Sequence, residues 1–247
     1  MSKSIQKRRV LITGGTGSVG QALIEKFAAN GDIVTFQYRG KKDRADEIAR
    51  SFNASAIQLD FEKDTTLPRA DFDILVNNSA INIADPVTHE VPLKDWNSTI
   101  LVNVTAPFCL AQQCLPHMKK RKWGRIINIS SIYGLRAVWG RCPYTVSKHA
   151  LSGLTKTIAK EYAHFGITCN EICPGPIDSE MMDRIAKESG KKEGQTAKQY
   201  LSDVCEEIPA GRLAKPTEIA DLAVFIASSK AGYLTGVSIP LDGGMIA

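Results

Sequence analysis

The sequence lacks the residue spacings that metal sites and disulfide frameworks require. Its six cysteines form neither a CxxC pair nor a zinc-type set, and its four histidines show no ligand pairing. It contains no apolar run long enough to span a bilayer, and the basic N-terminal segment MSKSIQKRR has no apolar signal core. We therefore expect a cytoplasmic protein with reduced cysteines, no metal ion and no membrane contact.

The net positive charge is too small to indicate a nucleic-acid partner. The net charge of +5 fits an anionic cofactor or substrate, but the basic residues do not form the wide face that nucleic acid requires. The 247 residues, 43% of them hydrophobic, can bury one full core, and they contain no repeat, low-complexity tract or linker. The sequence therefore predicts one domain over 1–247.

Short apolar segments alternate with helical ones along the whole chain. Alternating strand and helix units of this length build a parallel sheet with helices on both faces. The expected fold is α/β, a single doubly wound Rossmann domain with about seven parallel strands. Strands are predicted over 9–13, 32–38, 54–59, 73–77, 125–130, 167–172 and 237–241, and helices over 21–27, 42–51, 95–118, 144–164, 180–206 and 216–228.

A glycine-rich turn lies between the first strand and the first helix. Gly15, Gly17 and Gly20 fit the pattern G-x-G-x-x-G, which is informative in this strand–turn–helix context. Glycines let the backbone turn tightly and approach a pyrophosphate, whose charge then meets the helix N-terminus. The alternative, a merely flexible turn, does not explain the position of the motif.

Tyr144 and Lys148 lie four residues apart and would share one helix face. An ammonium beside a phenol is expected to lower the pKa of the tyrosine, which could then exchange a proton with a carbonyl or alcohol oxygen. Ser131 follows the apolar run 125–129, a buried strand whose carboxyl end is a place where α/β proteins bind ligands. By itself the tyrosine–lysine pair could equally be a solvated helix face.

In combination these motifs resemble the short-chain dehydrogenase/reductase family in its compact subtype. The resemblance runs from Val10 to Gly244. Chance does not place so many motifs in this order and at these spacings. Besides the glycine turn, they are Asp60 after the third strand, Asn77-Asn78-Ser79-Ala80 after the fourth, Asn103 within a helix, Ser131, Tyr144 with Lys148, Pro174-Gly175-Pro176-Ile177, and Asp242-Gly243-Gly244.

The resemblance implies a catalytic role for four residues. Tyr144 would be the general acid/base, and Lys148 would hold the nicotinamide ribose and tune Tyr144. Ser131 would hydrogen-bond the substrate oxygen and stabilise the charge that develops there. Asn103 would kink its helix and hold a water that relays protons to Lys148. The reaction implied is hydride transfer between a nicotinamide and a carbonyl or alcohol.

The resemblance also implies a set of cofactor contacts. Tyr144 and Lys148 belong to this set as well as to the catalytic one. The other members would be Gly14, Thr16, Gly17, Ser18, Val19 and Gly20 around the pyrophosphate, Asp60 and Phe61 beside the adenine, Asn78 and Ser79 near the adenosine ribose, and Pro174, Gly175, Ile177 and Ser179 over the nicotinamide.

The chain departs from the family pattern in four places. Ser18 stands where the compact subtype has glycine, and Ser79-Ala80 replaces an alanine–glycine pair. Ser179 replaces a threonine. The gap between Asp60 and Asp73 is short and polar, so a turn is expected where the family has a full helix. No departure removes a catalytic group, and activity is expected to survive.

The end of the second strand favours NADP(H) over NAD(H). NAD users carry an acidic residue there, whereas this chain has Tyr38 followed by Arg39. A guanidinium can bind a phosphate in a bidentate manner, and Lys41 or Lys42 would add positive charge. The alternative is that these cations are solvated in a loop before a helix.

Overall the chain is most similar to 3-oxoacyl-[acyl-carrier-protein] reductases of this family. The resemblance implies a 3-oxoacyl thioester substrate and an acidic carrier protein as a partner, for which 119–122 (KKRK) would be one docking cluster. Phe165 stands where the family has its second docking cation, which weakens that expectation. The alternative is that 119–122 is a solvated helix end, where cations are favoured.

Residues 180–207 form a longer segment than carrier-protein reductases have at this place. The segment is similar to the substrate-covering lid of 3-hydroxybutyrate dehydrogenases and of sugar or polyol dehydrogenases, which implies a small polar ketone enclosed away from water. Tyr133 and Trp139 could equally be interface or core aromatics. The expected pocket residues are Asn82, Ser131, Tyr133, Trp139, Tyr144 and Met181, or Met182 in place of Met181.

Two further expectations follow from the resemblance. Relatives are mostly homotetramers, which pack the helices 95–118 and 144–164 against a neighbouring subunit. Some relatives bind the dinucleotide without turnover and act as redox sensors, but that class has an incomplete catalytic set. Because all four catalytic residues are present here, an enzyme is favoured over a sensor.

Overall fold

The structure, a computed structural model, describes residues 7–82 and 87–247. The expectations for residues 1–6 concern positions outside the described residues. Within the described ranges the chain forms seven strands and eight α-helices. The strands are β1 Arg9–Ile12, β2 Ile33–Tyr38, β3 Ser55–Gln58, β4 Ile74–Asn77, β5 Gly124–Ile129, β6 Ile167–Pro174 and β7 Ser238–Leu241. The helices are α1 Ser18–Ala29, α2 Lys42–Phe52, α3 Leu93–Ile100, α4 Ala106–Arg121, α5 Cys142–Tyr162, α6 Glu180–Lys192, α7 Ala197–Glu206 and α8 Pro216–Ile226.

All seven strands join one parallel sheet in the order β3-β2-β1-β4-β5-β6-β7. The predicted doubly wound α/β fold is confirmed. After β3 the chain crosses to the other side of β1 and begins β4, so the winding direction reverses between β1 and β4. Open α/β sheets bind ligands outside the carboxyl ends of the strands at such a reversal.

The sheet is buried on both faces, which explains its continuous apolar strands. Successive side chains of β1 point to opposite faces: Val10 and Ile12 belong to a core with α1 and α8, and Leu11 belongs to a core with α4 and α5. All three of these side chains have 0% exposure. Packing on both faces holds β1 in place within the sheet, and it therefore also positions the glycine turn that follows the strand.

Two segments depart from the regular alternation of strands and helices: the loop between β3 and β4, and a turn between α3 and α4. The segment between Asp60 and β4 contains no helix, as the sequence predicts, and Gln113 of α4 holds it by accepting from Leu67 N at 2.9 Å and donating to Thr65 O at 2.8 Å. The helix predicted over 95–118 is helical throughout, but it contains a π-helical turn at Leu101–Thr105 between α3 and α4. The resemblance implies a kink at Asn103, and the irregular turn lies at this residue.

Helices α6 and α7 form a helical hairpin after β6. Ser179 caps α6 by accepting from Met182 N at 3.3 Å, and Thr196 with Gln199 forms a capping box at the start of α7. In both helices the N-cap residue is a serine or threonine whose hydroxyl accepts from a backbone N–H of the first turn. Among the described residues, no helix combines the length and the apolar character needed to cross a bilayer.

Candidate active site

The glycine turn packs so closely that side chains are excluded from it. A Cβ atom on Gly20 would lie 2.1 Å from Gly14 O, and one on Gly15 would lie 2.3 Å from the ring of Phe36. Gly14 itself has φ +67°, a conformation that favours glycine. The turn leads directly into α1, whose first backbone N–H groups face the same space. This geometry fits the pyrophosphate of a dinucleotide.

Thr13 joins the glycine turn to the segment after β4. Its Oγ1 accepts from Asn78 N at 2.9 Å and from Ser79 N at 2.8 Å, and its backbone oxygen accepts from Asn78 Nδ2 at 2.9 Å. The carboxyl ends of β1 and β4 are therefore held together at the point where the strand order reverses. This connection places Asn78 and Ser79 beside the cradle.

Gln37 is a positioning residue that sequence reasoning missed. Its Oε1 accepts from Gly14 N at 2.9 Å and from Ser79 Oγ at 3.0 Å, and its Nε2 donates to Leu59 O. One buried amide thus connects the glycine turn with the ends of β3 and β4. The hydroxyl of Ser79, a departure from the family pattern, has a defined partner here. A polar residue within the apolar strand β2 was the available signal.

The predicted cofactor and substrate residues converge on one cavity of about 1050 Å³ at the carboxyl ends of the strands. It extends from the glycine turn to the α6–α7 hairpin. The expected residues that line it are Gly14, Thr16, Gly17, Ser18, Val19, Gly20, Arg39, Asp60, Phe61, Asn78, Ser79, Asn82, Ser131, Tyr133, Tyr144, Lys148, Pro174, Gly175, Ile177, Ser179, Met181 and Met182.

Tyr144 and Lys148 lie in the first two turns of α5, where the helix passes the end of β5. Lys148 is 2% exposed, its Nζ donates to Ile129 O at 2.9 Å, and this nitrogen lies 5.4 Å from the centroid of the Tyr144 ring. Ser131 begins the 3₁₀ turn Ile132–Gly134 after β5, and its Oγ accepts from Tyr133 N at 3.1 Å. The strand end and the helix start bring the three side chains to one wall of the cavity.

The pKa of Tyr144 differs from the sequence expectation. Burial raises the pKa of Tyr144 to about 12, and the opposing effects of a hydrogen bond with Ser131 and the charge of Arg141 are smaller. Burial also lowers the pKa of Lys148 to about 8. The expectation of a lowered tyrosine pKa was wrong for this structure because desolvation outweighs the nearby positive charges.

Asn103 lies in the π turn and does not line the cavity. Its Oδ1 accepts from Ile81 N at 2.9 Å, and its Nδ2 donates to Ile81 O at 3.0 Å and to Ser147 Oγ at 3.0 Å. Both amide hydrogens therefore have protein acceptors, and the expected water relay stays a prediction. The side chain instead joins the loop after β4 to α5, two elements that contribute to the cavity wall.

One residue of the predicted substrate pocket does not line the cavity. Trp139 is 82% exposed and lies outside the cavity lining, because its loop directs the indole to solvent. Tyr133 does face the cavity and contacts Tyr144 edge-to-face with 6.5 Å between ring centroids. Sequence reasoning missed two cations there: Arg141 Nη1 donates to Asn82 Oδ1 at 3.4 Å, and Arg184 Nη2 donates to Asn82 O at 3.4 Å.

A glycine cradle at the reversal of a parallel sheet, continuous with a buried tyrosine–lysine–serine set, defines a dinucleotide-dependent oxidoreductase. The family model described as enoyl-(acyl carrier protein) reductase matches residues 14–246. The chain is 33% identical to the 3-oxoacyl-[acyl-carrier-protein] reductase FabG of Aquifex aeolicus, over 99% of this chain and 100% of that protein. It is 31% identical to the D-beta-hydroxybutyrate dehydrogenase of Rhizobium meliloti, over 97% of this chain and 99% of that protein.

Among solved structures, the fold is similar to a protein of Agrobacterium tumefaciens described as a candidate 2-deoxy-D-gluconate 3-dehydrogenase with bound NADP. The TM-score is 0.86 at 31% identity, over 98% of each chain. The chain belongs to the short-chain dehydrogenase/reductase family. It is an oxidoreductase of hydroxyl and keto groups that uses a nicotinamide cofactor.

Proposed function

We propose that the protein is an NADP(H)-dependent reductase that converts a 3-oxo compound to its secondary alcohol, with 3-oxoacyl thioesters as the first substrate class. The observation that carries the proposal is the buried pair Ser131 and Tyr144 beside Lys148, in a cavity continuous with the glycine cradle. The similarity to a 3-oxoacyl-[acyl-carrier-protein] reductase supports the substrate class. The first experiment follows NADPH oxidation by the purified protein with acetoacetyl-coenzyme A, acetoacetate, cyclic ketones and keto sugars; no turnover on any of them would contradict the proposal.

The side chains of the wall have distinct roles in this proposal. The bound nicotinamide supplies the hydride. Tyr144 is the proton donor: because its pKa is about 12, the phenol is protonated at neutral pH and can give its proton to an oxygen that becomes an alkoxide. Ser131 donates a hydrogen bond to that oxygen, and Lys148 holds the nicotinamide ribose. Asn103 is a positioning residue for the loop after β4.

The cofactor contacts follow the shape of the cavity. Asp60 and Phe61 line its adenine end after β3, and Ser179 lines its nicotinamide end at the start of α6. Arg39 also lines the cavity, and its Nη1 lies 2.9 Å from Glu62 Oε2. Tyr38 is only 6% exposed and supplies no carboxylate for the adenosine ribose. These features support NADP(H) over NAD(H).

Arg39→Gln is expected to raise the KM for NADPH by about tenfold or more and to leave the KM for NADH nearly unchanged, because a charge-assisted hydrogen bond to the phosphate contributes about 1.5–3 kcal/mol. Steady-state kinetics with both cofactors measures the ratio. Lys42→Gln is the matched control, since Lys42 pairs with Asp46 at 2.7 Å and lies outside the cavity lining. An equal rise for both cofactors would contradict the proposed phosphate contact.

A second substrate class is favoured by Arg141. This residue precedes α5, faces Asn82 across the cavity, and acts electrostatically on the pKa of both Tyr133 and Tyr144. A guanidinium close to the reacting oxygen suits the carboxylate of a small 3-oxo acid. The polar lid residues Arg184 and Tyr200 also suit a small polar substrate. The alternative function is therefore a dehydrogenase of a small hydroxy acid, polyol or sugar.

Arg141→Gln separates the two substrate classes. If the substrate is a free 3-oxo acid, the variant is expected to lose about tenfold or more in kcat/KM on acetoacetate and little on acetoacetyl-coenzyme A. The reason is that only the free acid has a carboxylate next to its ketone for the guanidinium to bind. Competing the two substrates in one assay measures this. Arg136→Gln is the control, since Arg136 is exposed in the same loop and does not line the cavity. Equal losses on both substrates would contradict a carboxylate contact.

Carrier docking has weaker support from the structure. The basic run 119–122 ends α4 just before β5 begins, so it lies at the amino end of the sheet, whereas the cavity lies at the carboxyl end. Lys119 Nζ stacks 4.6 Å above the ring of Phe165. A coenzyme A thioester is therefore a better first test of the thioester proposal than a thioester carried by an acyl carrier protein.

Domain organisation and assembly are part of the same proposal. We infer a single domain over 1–247 with a substrate lid over 180–207, a cytoplasmic location and a homotetramer. Lid residues Met181, Arg184 and Tyr200 line the cavity, which supports the covering role. The half-exposed Phe108 on α4 and Val146 on α5 support the packing of these helices against a neighbouring subunit.

A further inference from the structure

A ladder of polar side chains lies between α5 and β6, behind the wall that carries Tyr144. Residues 169, 171 and 173 of β6 alternate with apolar or amide neighbours and face the helix. The first rung pairs Thr155 with Cys169 through Asn128, whose Nδ2 lies 2.8 Å from Thr155 Oγ1 and 3.9 Å from Cys169 Sγ. Each further rung lies one helical turn closer to the cavity. The ladder ends at Lys148.

Glu171 forms the middle rung and has 0% exposure. Its Oε1 accepts from Ser152 Oγ at 2.6 Å and from Ser238 Oγ of β7. Its Oε2 has no hydrogen-bond partner among the described residues, although this atom is buried. A buried carboxylate destabilises a fold unless something compensates its charge, so its presence here indicates a nearby positive group.

The nearby positive group is Lys148. Lys148 is also buried, and within residues 7–82 and 87–247 neither Lys148 nor Glu171 has an ion-pair partner within 4.0 Å. Ser152 lies between the two residues: its Oγ is 2.6 Å from Glu171 Oε1 and 3.2 Å from Lys148 O. Burial and the charge of Glu171 raise the pKa of Cys173 to about 12, and the charge of Lys148 opposes them. The ammonium and the carboxylate are thus close enough to act on the same thiol, in surroundings where solvent screening is weak.

We propose that Glu171 is a positioning residue whose buried negative charge keeps Lys148 protonated at neutral pH. The inference rests on the proposed role of Lys148 as the cation that holds the nicotinamide ribose. Burial alone favours a neutral amine, which would remove the positive charge from the site. Glu171 acts through the protein interior from the side opposite the cavity, and it touches neither substrate nor cofactor.

The other groups around the two charges do not supply the same effect. The titratable neighbours of Lys148 are Tyr144 on its own helix and Cys173 on β6. Those of Glu171 are Cys169 and Cys173, both buried thiols whose pKa is raised chiefly by burial and which are therefore neutral at pH 7. Glu171 is thus the group in this set that carries the compensating negative charge.

Glu171→Gln tests the proposal because glutamine has the same shape and keeps an acceptor oxygen for Ser152 and Ser238. In wild type, kcat/KM for ketone reduction is expected to fall at high pH as Lys148 loses its proton. Without the carboxylate the pKa of Lys148 falls, so in the variant this decline shifts to lower pH by about one unit. Ser238→Ala is the control: it removes one hydrogen bond to the same oxygen and leaves the charge, so its pH profile should match wild type.

An NMR titration reads the same property without turnover. The Cε resonance of Lys148 in protein labelled with [13C]lysine, assigned with Lys148→Arg, gives the pKa of Lys148 directly. We expect a lower value in Glu171→Gln and an unchanged value in Ser238→Ala.

An unchanged Lys148 titration in a folded Glu171→Gln variant would overturn the proposal, even if the variant is less stable. If Glu171→Gln does not fold, Glu171→Asp keeps the charge and should preserve the wild-type titration; a Lys148 pKa lower by one unit in that variant would overturn it. Absence of ketone turnover in wild type would contradict the proposed function and leave the titration result standing.

Discussion

Tyr144→Phe is expected to lower kcat for ketone reduction by about 10²- to 10⁴-fold, because it removes the proton donor and little else. The phenyl ring preserves the packing of a side chain that is only 9% exposed and keeps its edge-to-face contact with Tyr133. The affinity for NADPH, read by fluorescence titration, is expected to stay within about twofold of wild type. The pair of measurements separates chemistry from cofactor binding.

Tyr133→Phe is the matched control, since it removes a hydroxyl from a neighbouring tyrosine that also lines the cavity. It should change KM for substrate far more than kcat. If Tyr144→Phe retained wild-type kcat, Tyr144 would not be the acid. If wild type bound NADPH but reduced no ketone, and Tyr144→Phe left that binding unchanged, the protein would be a dinucleotide sensor with an intact catalytic set.

Gly20→Ala is expected to weaken NADPH binding by about tenfold or more and to lower Tm by several degrees. The new Cβ would lie 2.1 Å from Gly14 O and 2.8 Å from Gly15 Cα. Both are backbone atoms, so the clash can be relieved only if the main chain of the turn shifts. Overpacking of this kind typically destabilises a protein by about 1–3 kcal/mol. Relief of the clash has to displace the turn that cradles the pyrophosphate, so binding and stability fall together.

Gly17→Ala is the control for the stability effect. It lies in the same turn, but the nearest atom to its added Cβ is Gly14 O at 3.6 Å, an ordinary van der Waals distance. The Tm of Gly17→Ala, measured by differential scanning calorimetry, should therefore match that of wild type, whether or not the variant changes the affinity for NADPH. A Gly20→Ala variant with wild-type Tm and wild-type NADPH affinity would show that the turn is looser than the structure indicates.

The fold was predictable because its signals are local. Apolar runs of strand length, separated by helical segments, require a parallel sheet covered on both faces, and the glycine turn after β1 marks where the sheet binds a ligand. The absence of a helix between Asp60 and β4 was also predictable, because the segment is short and polar. The π turn at Leu101–Thr105 was expected only as a kink at Asn103 from the family resemblance, because the apolar pattern continues through it.

The candidate site was predictable in its residue types and less so in its energetics. The spacing of Tyr144 and Lys148 predicts a shared helix face, which the structure has. The sequence suggested that the ammonium would dominate the pKa of Tyr144, and it does not, because burial is a property of the whole fold. Trp139 illustrates the same limit, since an aromatic residue in a loop can point inward or outward without any change in local pattern.

The sequence by itself determined the fold class, the glycine turn after β1 and the shared helix face of Tyr144 and Lys148, since each depends on residues that are adjacent or one helical turn apart. Only the tertiary structure decided which distant side chains meet. It brought Gln37 of β2 to Gly14 and Ser79, placed Arg141 beside Asn82 in the cavity lining, and buried Glu171 against Ser152 of α5. These partners lie far apart along the chain, and the packing of α5 against the parallel sheet sets their distances and their dielectric surroundings.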